Sequence, residues 1–243
     1  MEKENLALSI VLPAYKEKEN LAIFIPEIEE EFRDIPFEII VVDDNSKDGT
    51  RELIQTLSIK YQNIVFVERP GLLGLGGALR DGYNKAQGEY ILSSDSDLSF
   101  NTKDMKALYE KICRGFDLVL GFYTAYKPSE GEVKEKNKIA GYVTLILSKL
   151  SNFIIRALSG INLRNYNTNF RIIRRSVWKS FKTVELRQFF LFETIIRAKQ
   201  KGAKITEMEV TFSARKFGES KLNFFGQAPK YMIKLLRYTF FDR

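Results

Sequence analysis

Glu89-Tyr90-Ile91-Leu92-Ser93-Ser94-Asp95-Ser96-Asp97 decides how the rest of this chain is read. The apolar run reads as a short buried strand, and it stops in two carboxylates two residues apart. If that strand belongs to an alternating strand-helix pattern, Asp95 and Asp97 stand at the carboxyl edge of a parallel sheet, where open α/β sheets bind ligands. Two such carboxylates cannot neutralise one another, so a divalent cation or a set of hydroxyls is the usual reason to hold them together. Alone, the pattern is equally that of an acidic loop capping the next helix.

Working outward from this stretch, the alternation is present on both sides. Residues 6–12, 37–42, 63–67, 89–93 and 117–120 read as strands, and residues 19–32, 48–61, 75–87 and 101–114 as amphipathic helices. Asp48 or Ser46 is the expected N-cap of the second helix. The pattern predicts an α/β fold, a mostly parallel, twisted sheet with helices on both faces. A linker-like stretch at 126–136, with Pro128, Ser129 and Gly131, ends this half.

The 243 residues suffice for one such domain with a full core, and 44% hydrophobic with 28% charged residues is globular composition. The chain contains no His, which excludes Ser-His or Cys-His catalysis and His-ligated zinc. Its one cysteine, Cys113, excludes an internal disulfide and fits a reducing compartment. The charged opening Met1–Asn5 is not a signal peptide pattern, so a cytoplasmic location is expected. The net charge of +7 is unevenly placed: residues 1–133 carry −9 and residues 134–243 carry +16. Such a basic half wants an anionic partner, whether nucleic acid, membrane surface or phosphorylated ligand. It has no helix-turn-helix, zinc or RRM signature, so nucleic acid is not expected.

That second half also changes texture. Ile139, Tyr142, Val143, Ile146, Leu147, Leu150, Phe153, Ile154, Ala157 and Leu158 form a broad apolar helical face. Its longest charge-free stretch is the ten residues from Ile139 to Ser148, well short of the roughly 20 needed to span a bilayer. Near the C-terminus, Pro229 opens a helix with Lys230, Lys234 and Arg237 on one face and Tyr231, Met232, Leu235, Leu236 and Phe240 mostly elsewhere. Both segments read either as helices packed on their own domain or as amphipathic helices in a membrane interface, and membrane-surface contact is the expectation.

Four segments converge on one sheet edge: Val11–Glu17, Val41–Thr50, the glycine-rich Gly74–Gly82 and the Asp95-Ser96-Asp97 motif. Together they resemble the family 2 glycosyltransferases of GT-A fold, and among those the dolichyl-phosphate mannose synthases and polyprenyl-phosphate relatives. The resemblance covers roughly residues 6–222, and Arg215-Lys216-Phe217-Gly218-Glu219-Ser220-Lys221 matches the family's Arg-x-x-Gly-x-Ser-Lys. It implies that Pro13, Tyr15, Glu17 and Asp44 hold the donor nucleoside, and that Asp95 and Asp97, with Ser96 between them, bind Mg²⁺ or Mn²⁺ on the donor diphosphate. It also implies that Arg215, Ser220 and Lys221 close over phosphates, with Asp95, Asp97 and Arg215 carrying catalysis. The implied division is a transferase domain at 1–222, its donor half 1–123 and acceptor half 124–222, followed by a basic helix at 223–243. The implied reaction is inverting transfer of a hexose from GDP-mannose or UDP-glucose to dolichyl or polyprenyl phosphate at the inner face of a membrane. Whether a separate membrane-anchoring subunit tethers the chain stays open.

The chain departs from the family pattern on the acceptor and metal side. Gly121-Phe122-Tyr123 stands where Gly-Ser-Arg is usual, and Asn165-Tyr166-Asn167-Thr168-Asn169-Phe170-Arg171 stands where Asp-x-x-Ser-Gly-Phe-Arg is usual. Two residues after the second aspartate, Ser99 stands where Gln is common. Arg171, Arg174 or Arg175 is the expected replacement for the missing acceptor cation, with Arg171 first. A glycan or other lipid acceptor, or a catalytically inactive membrane-associated protein of the same fold, are the alternatives.

Overall fold

The computed structural model describes residues 6–124, 126–127, 155–156, 160–213, 234 and 237–238. In chain order these form β1 (Leu8–Ala14), α1 (Lys18–Glu31), β2 (Phe37–Asp43), α2 (Thr50–Lys60), β3 (Ile64–Glu68), α3 (Leu75–Lys85), β4 (Tyr90–Ser93), α4 (Thr102–Ile112) and β5 (Leu118–Phe122). Then come β6 (Tyr126–Lys127), β7 (Arg171–Arg174), α5 (Arg175–Lys179), α6 (Phe189–Gln200), β8 (Ile205–Glu209) and β9 (Phe212–Ser213). The expected strands and helices of the first half are all present, with ends displaced by a residue or two.

Seven strands form one sheet in the order β3-β2-β1-β4-β7-β5-β8. Strands β1, β2, β3 and β4 pair in parallel, as do β5 and β8, whereas β7 runs antiparallel to both β4 and β5. β6 and β9 form a separate two-stranded ribbon. Helices cover both faces, so successive residues of the central strands are buried on alternate sides. On one side Ile10, Leu12, Ile39, Val41 and Leu92 meet Phe24, Ile28, Ile54, Met105 and Leu108 of α1, α2 and α4. On the other, Val11, Ile40, Val42, Ile91 and Ile173 meet Leu79 and Tyr83 of α3, Trp178 of α5 and Phe190 and Ile195 of α6. Burial on both faces is why these strands read as continuous apolar runs rather than alternations.

Two features depart from expectation. The sequence pattern gave no strand after residue 120, yet β7 is inserted between β4 and β5. The N-cap of α2 is Gly49, in the left-handed region at φ 90°, while Asp48 accepts from Thr50 N (3.1 Å) and Thr50 Oγ1 (2.7 Å) one position further out. The glycine-rich segment serves helix packing: Gly77 N donates to Leu186 O (2.9 Å), and a Cβ on Gly76 would stand 2.5 Å from both Arg187 O and Phe190 Cβ. The apolar segment at 139–158, apart from Ile155 and Arg156, and the C-terminal helix, apart from Lys234, Arg237 and Tyr238, lie outside the described residues. Among the described residues no helix is long and apolar enough to cross a membrane.

Candidate active site

Antiparallel β7 determines what meets at the sheet edge. Its first residues lie beside the last residues of β4, with Arg171 opposite Ser93. The segment leading into β7 therefore arrives at the same edge as the ends of β1, β2 and β4. Ser96 Oγ donates to Pro13 O (2.8 Å), joining the aspartate loop to the end of β1. Asp44 N donates to Ala14 O (3.0 Å), and Lys16 N donates to Ser46 Oγ (2.8 Å), joining β1 to the loop after β2. That loop is tightened by Asp43, whose carboxylate accepts from Ser46 N (2.8 Å) and Ser46 Oγ (2.5 Å). Tyr15 and Glu17 follow β1 and are half-buried, and Glu17 accepts from Asn20 Nδ2 (2.6 Å).

Asp97 is buried, 3% exposed, and its Oδ1 accepts from Ser99 N (3.0 Å) and from the Ser99 hydroxyl. The turn is made by Leu98 at φ 61°, a left-handed conformation that a branched side chain adopts at a cost of about 1 kcal/mol or more. Asp95 is less enclosed and accepts from Asn169 Nδ2 at 3.1 Å. Tyr123 lies close enough for the Asp95 charge to act on it: burial first, then that charge, pushes its hydroxyl above the ordinary tyrosine range. The Tyr123 ring stacks on Phe212 at 4.2 Å while 40% of the residue stays exposed.

Asp44 occupies a buried ion pair with Arg69, whose Nε also reaches Asp81 at 2.9 Å and whose Nη1 reaches Gly74 O at 3.4 Å. Burial raises the Asp44 carboxyl above its ordinary range, and the Arg69 guanidinium opposes that rise. Arg69 was not singled out in the sequence; an isolated arginine after a strand has no pattern to mark it.

One expected site residue is not where the reading required. Arg171 is completely buried, and its guanidinium donates to the backbone oxygens of Thr168 (Nε, 2.9 Å), Leu191 (Nη1, 2.7 Å) and Tyr166 (Nη2, 3.5 Å). It ties the β7 entry to α6 inside the protein and is not presented to an acceptor. Arg174 pairs with Glu89 and Asp117 at the opposite end of β7. Arg215, Ser220 and Lys221 lie outside the described residues.

The oxygen donors gathered here, Asp95, Asp97, Ser99 and Asn169, are hard ligands of the kind Mg²⁺ and Mn²⁺ take. Among the described residues no three His, Cys, Asp or Glu side chains cluster to hold a metal, so the carboxylate pair would share an ion with other oxygens. Residues 9–181 match the Glycosyl transferase family 2 domain. The chain belongs to that family. It is 28% identical over 238 residues to dolichol-phosphate mannosyltransferase of Pyrococcus furiosus, covering 97% of this chain and 63% of the relative. It is 29% identical over 220 residues to undecaprenyl-phosphate 4-deoxy-4-formamido-L-arabinose transferase of Pectobacterium carotovorum, covering 89% and 63%. The chain thus spans less than two thirds of the length of these curated relatives. Glucosyl-3-phosphoglycerate synthase of Mycobacterium tuberculosis, in complex with Mn²⁺, uridine diphosphate and glucosyl-3-phosphoglycerate, is similar in structure, with a TM-score of 0.68 at 19% identity over 97% of this chain and 80% of that one. S. aureus TarS with UDP-GlcNAc gives 0.62 at 19% identity over 95% and 65%. These likenesses fix the architecture of this family 2 chain as the GT-A fold.

Proposed function

We propose that this chain is an inverting glycosyltransferase that moves a hexose from a sugar nucleotide, GDP-mannose or UDP-glucose, to dolichyl or another polyprenyl phosphate at the cytoplasmic face of a membrane. The observation that carries the reading is the meeting of Asp95 and Asp97 with the Pro13–Glu17 and Asp43–Asp48 loops at one sheet edge, joined through Ser96 and Ser46. The names of the curated relatives support the lipid-phosphate acceptor.

In this reading Asp95 and Asp97 are the residues that would hold Mg²⁺ or Mn²⁺ at the donor diphosphate. When bound, the ion supplies positive charge to the departing nucleoside diphosphate. Pro13, Tyr15, Glu17 and Asp44 are assigned to the nucleoside, with Asp44 held in place by its ion pair with Arg69. Arg215, Ser220 and Lys221 are assigned to the phosphates. A lipid phosphate is already an anion at neutral pH, so the reaction asks little of a general base, consistent with a chain that has no histidine. Attack from the face opposite the leaving group inverts the anomeric carbon. The domain is assigned to residues 1–222, and residues 223–243 to a basic interfacial helix.

A second reading, a glycan acceptor, is favoured by Tyr123: a part-exposed aromatic ring beside Asp95, where the family pattern carries arginine, suits stacking on a sugar. The deciding experiment is transfer of label from GDP-mannose or UDP-glucose, with Mg²⁺ or Mn²⁺, to a short polyprenyl phosphate and to sugar acceptors in parallel. The expected result is metal-dependent labelled lipid from one donor, reduced about a hundredfold or more in Asp97→Ala. Labelled glycan without lipid product would install the second reading, and consumption of no sugar nucleotide would remove both.

A further inference from the structure

Asn169 stands where the family pattern carries glycine, so its side chain is an addition beside Asp95. Its backbone leaves it little freedom. Ser93 Oγ donates to Asn169 O (2.7 Å) and lies 2.7 Å from Tyr83 Oη; Phe170 N donates to Thr168 Oγ1 (3.0 Å), and Gly121 N to Phe170 O (2.8 Å). Arg171 pins Thr168 O from inside. The residue is 3% exposed, its Nδ2 points at Asp95 Oδ1, and its Oδ1 is buried with no hydrogen-bond partner among the described residues. A buried amide oxygen left unpartnered costs stability, and a native site that keeps one calls for a physical reason.

The geometry offers that reason. The two ends of a side-chain amide exchange places on rotation about Cβ–Cγ. The end facing Asp95 lies 3.1 Å from Oδ1. Two adjacent oxygens of an octahedral Mg²⁺ or Mn²⁺ shell, each about 2.1 Å from the metal, are about 3 Å apart. With no cation between them, two facing oxygens would repel, so Nδ2 takes that position; with a cation, Oδ1 can. Ser99, at the place where the family pattern often carries glutamine, is turned onto Asp97 Oδ1. The amide oxygen that this substitution removes is available again from Asn169.

We propose that Asn169 is a third protein ligand of the divalent cation, reached by rotating its amide so that Oδ1 joins Asp95 and Asp97. The assignment rests on the proposed transferase site. Through Nδ2 the same side chain fixes the position of the Asp95 carboxylate.

The test is Mn²⁺ affinity by titration calorimetry, with Mn²⁺ alone and with UDP or GDP, for the parent chain, Asn169→Ala and Asn169→Asp, together with thermal unfolding in EDTA. Asn169→Ala is expected to weaken Mn²⁺ binding about tenfold to a hundredfold while keeping a cooperative unfolding transition in EDTA, which separates a lost ligand from a lost fold. Asn169→Asp, which keeps an oxygen at that place and loses the donor to Asp95, is expected to bind Mn²⁺ at least as tightly as the parent. Parent-like Mn²⁺ binding by Asn169→Ala overturns the assignment and leaves the aspartate site standing. Should the alanine variant not fold, loss of Mn²⁺ binding by a folded aspartate variant overturns it equally. A parent chain that takes up no Mn²⁺ with either nucleotide removes the cation site itself, and the assignment with it.

Discussion

Arg69 holds three parts of the donor side together with one guanidinium. It pairs with Asp44 after β2, Asp81 on α3 and the carbonyl of Gly74 at the start of that helix, and only 5% of it is exposed. A Cβ on Gly77 would run into the Arg69 guanidinium, so any larger residue there forces Arg69 to shift. Removing one partner of a buried pair leaves an uncompensated charge, so Arg69→Met is expected to lower unfolding free energy by about 3 kcal/mol or more, read as a shift of the urea midpoint. Arg69→Met combined with Asp44→Asn should recover part of that loss, because the stranded carboxylate is then neutral; an additive double variant would refute the pairing argument. The Asp43-Asp44 motif was legible in sequence because it ends a strand in a recognisable pattern. Its partner was not, since the 25 residues separating Asp44 from Arg69 are closed only by the parallel pairing of β2 with β3. Asn169 was hidden for a related reason: the departure from glycine is visible in the sequence, but its reach to Asp95 depends on the direction of β7.

At the scale of elements, the first half declared itself because each strand is apolar on both faces and each helix keeps a polar stripe. β7 did not, being four residues long with arginine at both ends and one of those arginines buried, which breaks any alternation. α6 was equally silent because it is enclosed on nearly every side: Phe189 to Ile196 are all buried, so no amphipathic period survives. Within that run stands Glu193, whose carboxylate accepts from Val184 N (3.0 Å) and Glu185 N (3.0 Å) and so closes the loop leading into α6. Glu185 in turn meets Lys234 and Tyr238. Burial raises the Glu193 carboxyl above its ordinary range, and the two backbone donors only moderate the rise. A raised folded-state value means that the folded protein holds this proton more tightly than the unfolded chain. The stabilising contribution is therefore complete below the unfolded value of about 4.3 and is lost as pH climbs through the higher folded value. Glu193→Gln removes the titration while keeping an acceptor. The stability of the parent relative to this variant should thus fall as pH rises above the unfolded value; urea midpoints measured from pH 4 upward test it, and a flat difference would refute the raised folded-state value.

The whole molecule is divided by charge as well as by topology. Its acidic half supplies the donor-side loops, and the +16 of residues 134–243 is placed after the chain has left β5. The GT-A architecture puts the carboxyl ends of β1, β2 and β4 and the entry to β7 at one edge; the gathering of the first three was legible from strand alternation without any contact information, whereas the arrival of β7 was not. The use of the basic half was not, because composition alone fits a phosphorylated ligand as well as a membrane. Salt separates these. A lipid surface attracts many cations at once, about 1 kcal/mol for each Lys or Arg near an anionic headgroup layer, and that attraction fades as the screening length falls from about 10 Å at 0.1 M salt to about 3 Å at 1 M. The intact chain is therefore expected to sediment with phosphatidylglycerol-containing vesicles at the lower salt, to be released at the higher, and to ignore pure phosphatidylcholine. Neutralising Lys230, Lys234 and Arg237 together should weaken that binding while leaving soluble sugar-nucleotide binding intact, since none of the three is among the residues assigned to the donor. Vesicle binding that persists unchanged in the triple variant would move the contact to the apolar segment at 139–158, and no binding at either salt would assign the basic half to phosphates within the site.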